Sequence, residues 1–222
     1  MSRAQYRSER RQEQAAATRQ AIIDAARALF VERGYARTTV ADIAAAAHVA
    51  VPTVYVSVGP KPAILGELRK RIPALAGVPE DLQSDLALLS DPVGVISGTV
   101  AVIRQMMETS GDLMLAIEAA APFEPVATEA WEEGLVLHRA GWTMAVERLE
   151  ALGALKPTLH PRKAADALSF LSLPATWRTL GRDGWTFDEI ETWIVVTAIT
   201  LVLTPSSTPR TRSVAASNGS HD

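Results

Sequence analysis

Apolar residues in the first third of the chain fall into short helical stripes separated by turn-forming residues. Over 18–33, Ile22, Ala26, Leu29 and Phe30 recur at helical steps, and Gly34 stands where a helix commonly ends on a residue of positive φ. Thr39-Val40-Ala41-Asp42 reads as a capping box with Asp as a shorter Glu, opening a very short helix that carries Val40, Ile43, Ala44 and Ala47. After a break over 47–50, Pro52 suits a first helical turn, where its missing N–H costs nothing, and predicts a helix over 51–57. Gly59-Pro60-Lys61-Pro62 then starts a longer helix with Ile64, Leu65, Leu68 and Ile72, which Pro73 ends or kinks. A supporting helix followed by two short ones across a tight turn is a helix-turn-helix arrangement.

The pattern beyond residue 73 predicts helices at about 92–109, 112–121, 125–153, 161–181 and 187–203. The third of these places Trp131, Leu135, His138 and Trp142 on one stripe, which is expected to wall a cavity, with Leu113, Ile117, Glu118, Phe123 and Trp177 as further wall. The plainer reading of His138 is a core histidine among aromatic side chains. Thr186-Phe187-Asp188-Glu189 forms a second capping box, and the helix it opens is apolar all round. One subunit cannot easily cover all of that helix. The expectation is a twofold homodimer through Trp193, Ile194, Thr197, Ala198 and Leu201, joined by Leu168, Leu171 and Ala175 of the preceding helix.

Charge changes the picture more than composition does. The net charge of −3 conceals twelve Arg and Lys against six acids up to Pro73, followed by ten against nineteen. Only the first part suits a phosphate backbone. The 222 residues contain no cysteine, which excludes disulfide frameworks and thiolate metal clusters and fits a reducing compartment. The polar start lacks the apolar stretch of a secretory signal, and 193–203 is too short to span a bilayer. A cytoplasmic protein with no membrane partner is expected. Residues 1–17 read as a basic flexible arm, with a frayed solubilising tail or an extension of the first helix as the plainer alternatives, 18–73 as the helix-turn-helix domain, 74–203 as a helical effector-binding and dimerisation domain, and 204–222 as a disordered tail.

The outward positions over 51–57 offer methyl groups and hydroxyls with no charge, a face able to meet thymine methyls and phosphate oxygens. Val54 and Val58 point inward by spacing. Residues 18–65, and above all Pro52-Thr53-Val54-Tyr55 followed by Lys61 and Ile64-Leu65, resemble the DNA-binding region of TetR-type one-component transcriptional regulators. That resemblance implies an all-α fold, with a homeodomain-like three-helix domain ahead of a helical ligand-binding and dimerisation domain. It implies that Thr38 and Thr39 touch phosphates, that Val51, Pro52 and Thr53 approach base edges, that Tyr55 and Lys61 hold the backbone, and that Val56 and Ser57 flank the groove. Two positions depart from the family pattern: His48 stands where the turn usually has glycine, and Ala50 where the next helix usually has a serine cap.

The four histidines are scattered without metal-ligand spacing, and there is no phosphate-binding glycine loop or H-E-x-x-H motif. No catalytic residue, metal or cofactor is expected. The expected function is a ligand-responsive regulator, a repressor released from a palindromic double-stranded DNA operator by a small apolar effector. A helical interaction protein whose helix-turn-helix no longer binds DNA is the alternative, and a small-molecule-binding enzyme a further one.

Overall fold

The structure, a computed structural model, describes residues 3–75, 77–78, 85–86 and 88–205. Its first layer is α1 (Arg3–Arg33), α2 (Val40–Ala46), α3 (Val51–Ser57) and α4 (Lys61–Leu75). Ile22, Ile23, Ala26 and Phe30 of α1 meet Ile43 and Ala44 of α2, Val54 of α3 and Ile64 and Leu65 of α4 in one buried cluster. α1 ends as its spacing predicts, with Gly34 at φ 83. At its other end it begins at Arg3, so the segment expected as a flexible arm continues the helix from that residue on.

The expected capping box opens α2: the Thr39 hydroxyl accepts from the Asp42 amide at 3.1 Å, and the Asp42 carboxylate accepts from the Thr39 amide at 2.9 Å. Those hydrogen bonds from Thr39 hold the Asp42 carboxyl below the usual carboxylate range. At the break before α3, His48 takes φ 55, the left-handed conformation that glycine adopts without cost. Ala50 caps α3 with no side-chain hydrogen bond, so the helix begins on backbone geometry and Pro52 alone.

The second layer is α5 (Pro92–Ala120), α6 (Pro125–Ala151), α7 (Pro161–Leu171), α8 (Pro174–Arg182) and α9 (Phe187–Val202). The sequence predicts a break near Gly111, but α5 runs through it. A Cβ at Gly111 would lie 2.9 Å from the Met107 side chain, so this glycine makes room for packing and is no breaker. The single helix expected over 161–181 divides at Ser172-Leu173, because a residue before proline is pushed out of the helical region, and Leu173 sits at ψ 151 ahead of Pro174. Val95, Ile96 and Val100 of α5, Trp142, Val146 and Leu149 of α6, Leu168 of α7 and Ile190, Ile194 and Ala198 of α9 form its core. Arg104 of α5 ties this core to the start of α9 through Asp188 and Glu191, each at 2.6 Å. An antiparallel bridge, Leu155 to Leu203, closes the end of α9 against the α6–α7 connection. The proposed tail lies outside the described residues from 206 onward.

The two layers share apolar side chains. Leu113 and Ile117 of α5 and Ala127 and Ala130 of α6 are buried in the same cluster as α1 to α4. Arg27 of α1 donates to the Thr109 carbonyl of α5 at 2.6 Å, and Arg69 of α4 pairs with Glu133 of α6 at 2.9 Å. No single helix among the described residues is long and apolar enough to cross a membrane.

The final helix corrects the expected dimer face. Leu168, Ile194 and Ala198 are fully buried in their own subunit, because the Ile190–Ile194–Ala198–Val202 stripe supplies the core. Trp193 and Leu201 remain exposed, while Leu171, Ala175 and Thr197 are half-buried. Val196 and Phe187, which the expectation omitted, are exposed beside them.

Candidate DNA-reading face and internal cavity

α2 and α3 cross at 97°, within the range of helix-turn-helix pairs. Val54 anchors α3 from below, fully buried, and turns the opposite face outward. On that face Val56 is 89% exposed and Tyr55 51%, beside exposed Val51 and Pro52, with Thr53 and Ser57 half-buried. A largely uncharged, methyl-rich surface has thus been raised on a buried valine. Such a surface meets thymine methyls through contact and phosphates through hydroxyls.

Three expected phosphate contacts have other duties in the structure. Thr38 is 1% exposed, and its hydroxyl is shared between the carbonyls of Leu29 at 3.2 Å and Gly34 at 3.0 Å. It closes the end of α1 and presents no hydroxyl to solvent, a correction to its expected role. Thr39 is exposed, but its hydroxyl proton goes to Asp42 at 2.6 Å. Lys61 donates to the Tyr35 carbonyl at 3.0 Å and lies 4.1 Å from the centre of the Tyr35 ring, so its ammonium fastens α4 to the α1–α2 connection. Burial first, and then the Glu124 charge, push the Tyr35 phenol up to about 12.

Sequence reasoning missed the residue that ties these elements together. Arg19 of α1 donates to the Ser57 carbonyl at the end of α3 and pairs with Glu67 of α4 at 2.8 Å. One guanidinium fork therefore fixes α3 to α4. The hydrogen bond from Arg19 holds the Glu67 carboxyl below its ordinary range. No local motif announces this, because the contact spans 38 and 48 residues of chain.

Behind the reading domain lies a cavity of about 370 Å3. Trp131, Leu135, His138 and Trp142 of the α6 stripe line it, with Ile117 of α5 as further wall. Four expected wall residues do not reach it. Leu113 is buried between the two layers, and Glu118 turns away to pair with Arg178 at 3.0 Å. Phe123 is 82% exposed in the α5–α6 connection, and Trp177 packs in the lower core against Phe187, ring centres 5.6 Å apart. Their places are taken by Val102, Ile103, Met106 and Met114 of α5, Met144 of α6, and Arg69, Ile72 and Pro73 of α4. The methionines were the available signal, since flexible thioethers fill irregular apolar walls.

A polar relay braces the cavity wall. The Trp142 indole N–H donates to the Ser172 hydroxyl at 2.8 Å, which in turn donates to the Leu168 carbonyl at 3.0 Å. With that proton committed, the tautomer that fits has its hydrogen on His138 Nε2, which faces the Ser169 carbonyl at 3.1 Å and the Ser172 hydroxyl oxygen at 3.2 Å. Burial holds the imidazole below its ordinary value, so the ring is neutral with Nδ1 bare. Among the described residues no group of three or more His, Asp or Glu side chains could hold a metal.

Residues 22–67 match the family model of bacterial regulatory proteins, tetR family. No curated protein matches the chain. Among solved structures it is similar to NalD, the secondary repressor of the MexAB-OprM multidrug efflux pump in Pseudomonas aeruginosa, at 23% identity over 87% of this chain and 99% of that one, TM-score 0.64. It is also similar to SmeT, the repressor of the Stenotrophomonas maltophilia multidrug efflux pump SmeDEF, at 19% identity over 86% of this chain and 93% of that one, TM-score 0.66. SmeT in complex with triclosan aligns at 22% identity over 87% of this chain and 95% of that one, TM-score 0.65. The matched segment covers the helix-turn-helix and the first turns of α4, and the likeness in fold extends over both layers. Over residues 22–67 the chain is thus similar to the bacterial regulatory proteins of the tetR family, and over both layers it has the fold of NalD and SmeT.

Proposed function

We propose that the protein is a ligand-responsive repressor that binds a palindromic operator as a cytoplasmic homodimer and leaves it when a small apolar molecule fills the cavity. The observation that carries this reading is α4. Arg69, Ile72 and Pro73 of that helix line the cavity, while Lys61 and Glu67 of the same helix hold Tyr35 and, through Arg19, the end of α3. A guest that prefers one placement of α4 therefore prefers one placement of the reading helix, and its leverage equals that preference. Couplings of this kind run at about 1–3 kcal/mol, or roughly 5- to 150-fold in operator affinity. NalD and SmeT, both repressors of multidrug efflux pumps, and the complex of SmeT with triclosan support both the repressor role and an apolar guest.

A gel shift on the DNA upstream of the protein's own gene tests the reading. Binding should be sequence-specific, weaken with salt as phosphate contacts release counterions, and be lost in Val56→Glu. That variant places an acid at an 89% exposed position without disturbing the core. Specific binding that no cavity ligand relieves would leave a constitutive DNA binder. No specific binding would favour a helical interaction protein.

A further inference from the structure

We infer that the cavity selects a neutral, largely apolar ligand bearing a hydroxyl, such as a phenol or alcohol, with that hydroxyl donating to Thr99 or His138. This rests on the effector reading of the cavity and deepens it. The wall is made mainly of Val, Ile, Leu, Met and Trp side chains, so each of its few polar groups matters. The Thr99 side chain, 7% exposed, donates its proton to the Val95 carbonyl at 2.8 Å and keeps only lone pairs. His138 spends its Nε2 hydrogen on the Ser169 carbonyl, and among the described residues Nδ1 has no partner. Both groups are therefore acceptors in want of a donor. The half-buried Trp131 contributes an indole N–H, which a hydroxyl can accept while donating its own proton.

A carboxylate would find little here. Among the described residues the one cationic side chain in the wall, Arg69, is already paired with Glu133 at 2.9 Å, and Thr99 and His138 would both present lone pairs to the anion. Desolvating a carboxylate against them is unfavourable. An ether of the same shape keeps the apolar contacts but leaves the acceptors unanswered, a loss of about tenfold in affinity for one hydrogen bond.

Room for the guest is made by two glycines. Gly134 and Gly141 lie in the interior of α6, line the cavity on the stripe of His138, and a Cβ built on either meets nothing within 4 Å. Glycine weakens a helix interior relative to alanine, and here no close packing requires it. What it leaves is space.

Three probes of matched shape test this on the full-length protein: 4-phenylphenol, 4-methoxybiphenyl and biphenyl-4-carboxylate, titrated against tryptophan fluorescence. The phenol should bind about tenfold more tightly than the ether, and the carboxylate most weakly. Thr99→Val or His138→Phe should bring the phenol toward the ether, with the ether itself little changed. Gly141→Leu should abolish binding of the phenol and the ether while the melting temperature rises, and Gly134→Leu provides the same test from the other glycine. Equal affinities for phenol and ether, tightest binding of the carboxylate, or no quenching by any probe overturns the inference. The DNA shift is read separately. A phenol that binds as described without releasing DNA leaves the ligand chemistry standing and defeats the effector reading instead.

Discussion

His48 and Ala50 sit two residues apart in the helix-turn-helix break, and each departs from what its backbone position favours. His48 holds φ 55, where a non-glycine residue costs about 1–2 kcal/mol, part of which a glycine would return to the entropy of the unfolded chain. His48→Gly should therefore stabilise the protein by somewhat under that amount, and Ala50→Ser by about 1 kcal/mol through the missing cap. Urea unfolding measures both. These departures are visible in the sequence once a glycine and a serine are expected there. The burial of Thr38 is not, because its hydroxyl answers carbonyls of α1 that only the folded chain turns toward it. His138 adds a pH dependence. Its folded value lies below the unfolded 6.5, so the unfolded chain takes the proton first as the medium acidifies. Its contribution to stability is complete above pH 6.5 and is lost as pH falls through the depressed folded value. Wild type should lose more stability than His138→Gln between pH 8 and pH 5, read as urea midpoints.

Elements follow the sequence most closely where a cap or a proline fixes them. Thr39 and Thr186 both cap as their motifs require, and Pro92, Pro125, Pro161 and Pro174 each stand in the first turn of a helix. Glycine was the ambiguous sign. Gly111 lies inside an unbroken α5 and yields to Met107, whereas Gly34 ends α1, and only the packing around each separates the two uses. α4 is legible as a helix from its apolar spacing, but its part in the proposed mechanism rests on Arg19, whose partners are far along the chain. Arg19→Met keeps the aliphatic stem and removes the fork. It should lower stability by no more than about 1–2 kcal/mol, since the pair is partly exposed. Operator affinity should fall several-fold more than that loss of stability explains, as measured by fluorescence anisotropy on labelled DNA.

At the scale of the molecule, a subunit that commits Ile190, Ile194, Ala198 and Val202 to its own core still exposes Trp193, Val196, Phe187 and Leu201 around the same helix. The apolar roundness of α9 was plain in the sequence. Which side turned inward was not, because both faces are apolar and the neighbouring α5, α7 and α8 decide between them. Under the proposed twofold association, Val196→Glu should shift sedimentation at micromolar concentration from dimer to monomer with the melt of the subunit nearly unchanged. A monomeric wild type would remove the dimer from the account. A dimer places two α3 helices for two half-sites, so the monomeric variant should also bind the operator far more weakly.

The claim on which the rest depends is that the outward face of α3 reads DNA. Fluorescence anisotropy of the DNA upstream of the protein's own gene, titrated with wild type and with Val56→Glu over a range of salt concentrations, tests it most directly. The account predicts saturable, salt-weakened binding by wild type, competed by the same sequence and not by a scrambled one, and none by Val56→Glu despite an unchanged melt. Equal binding by the two proteins would contradict it.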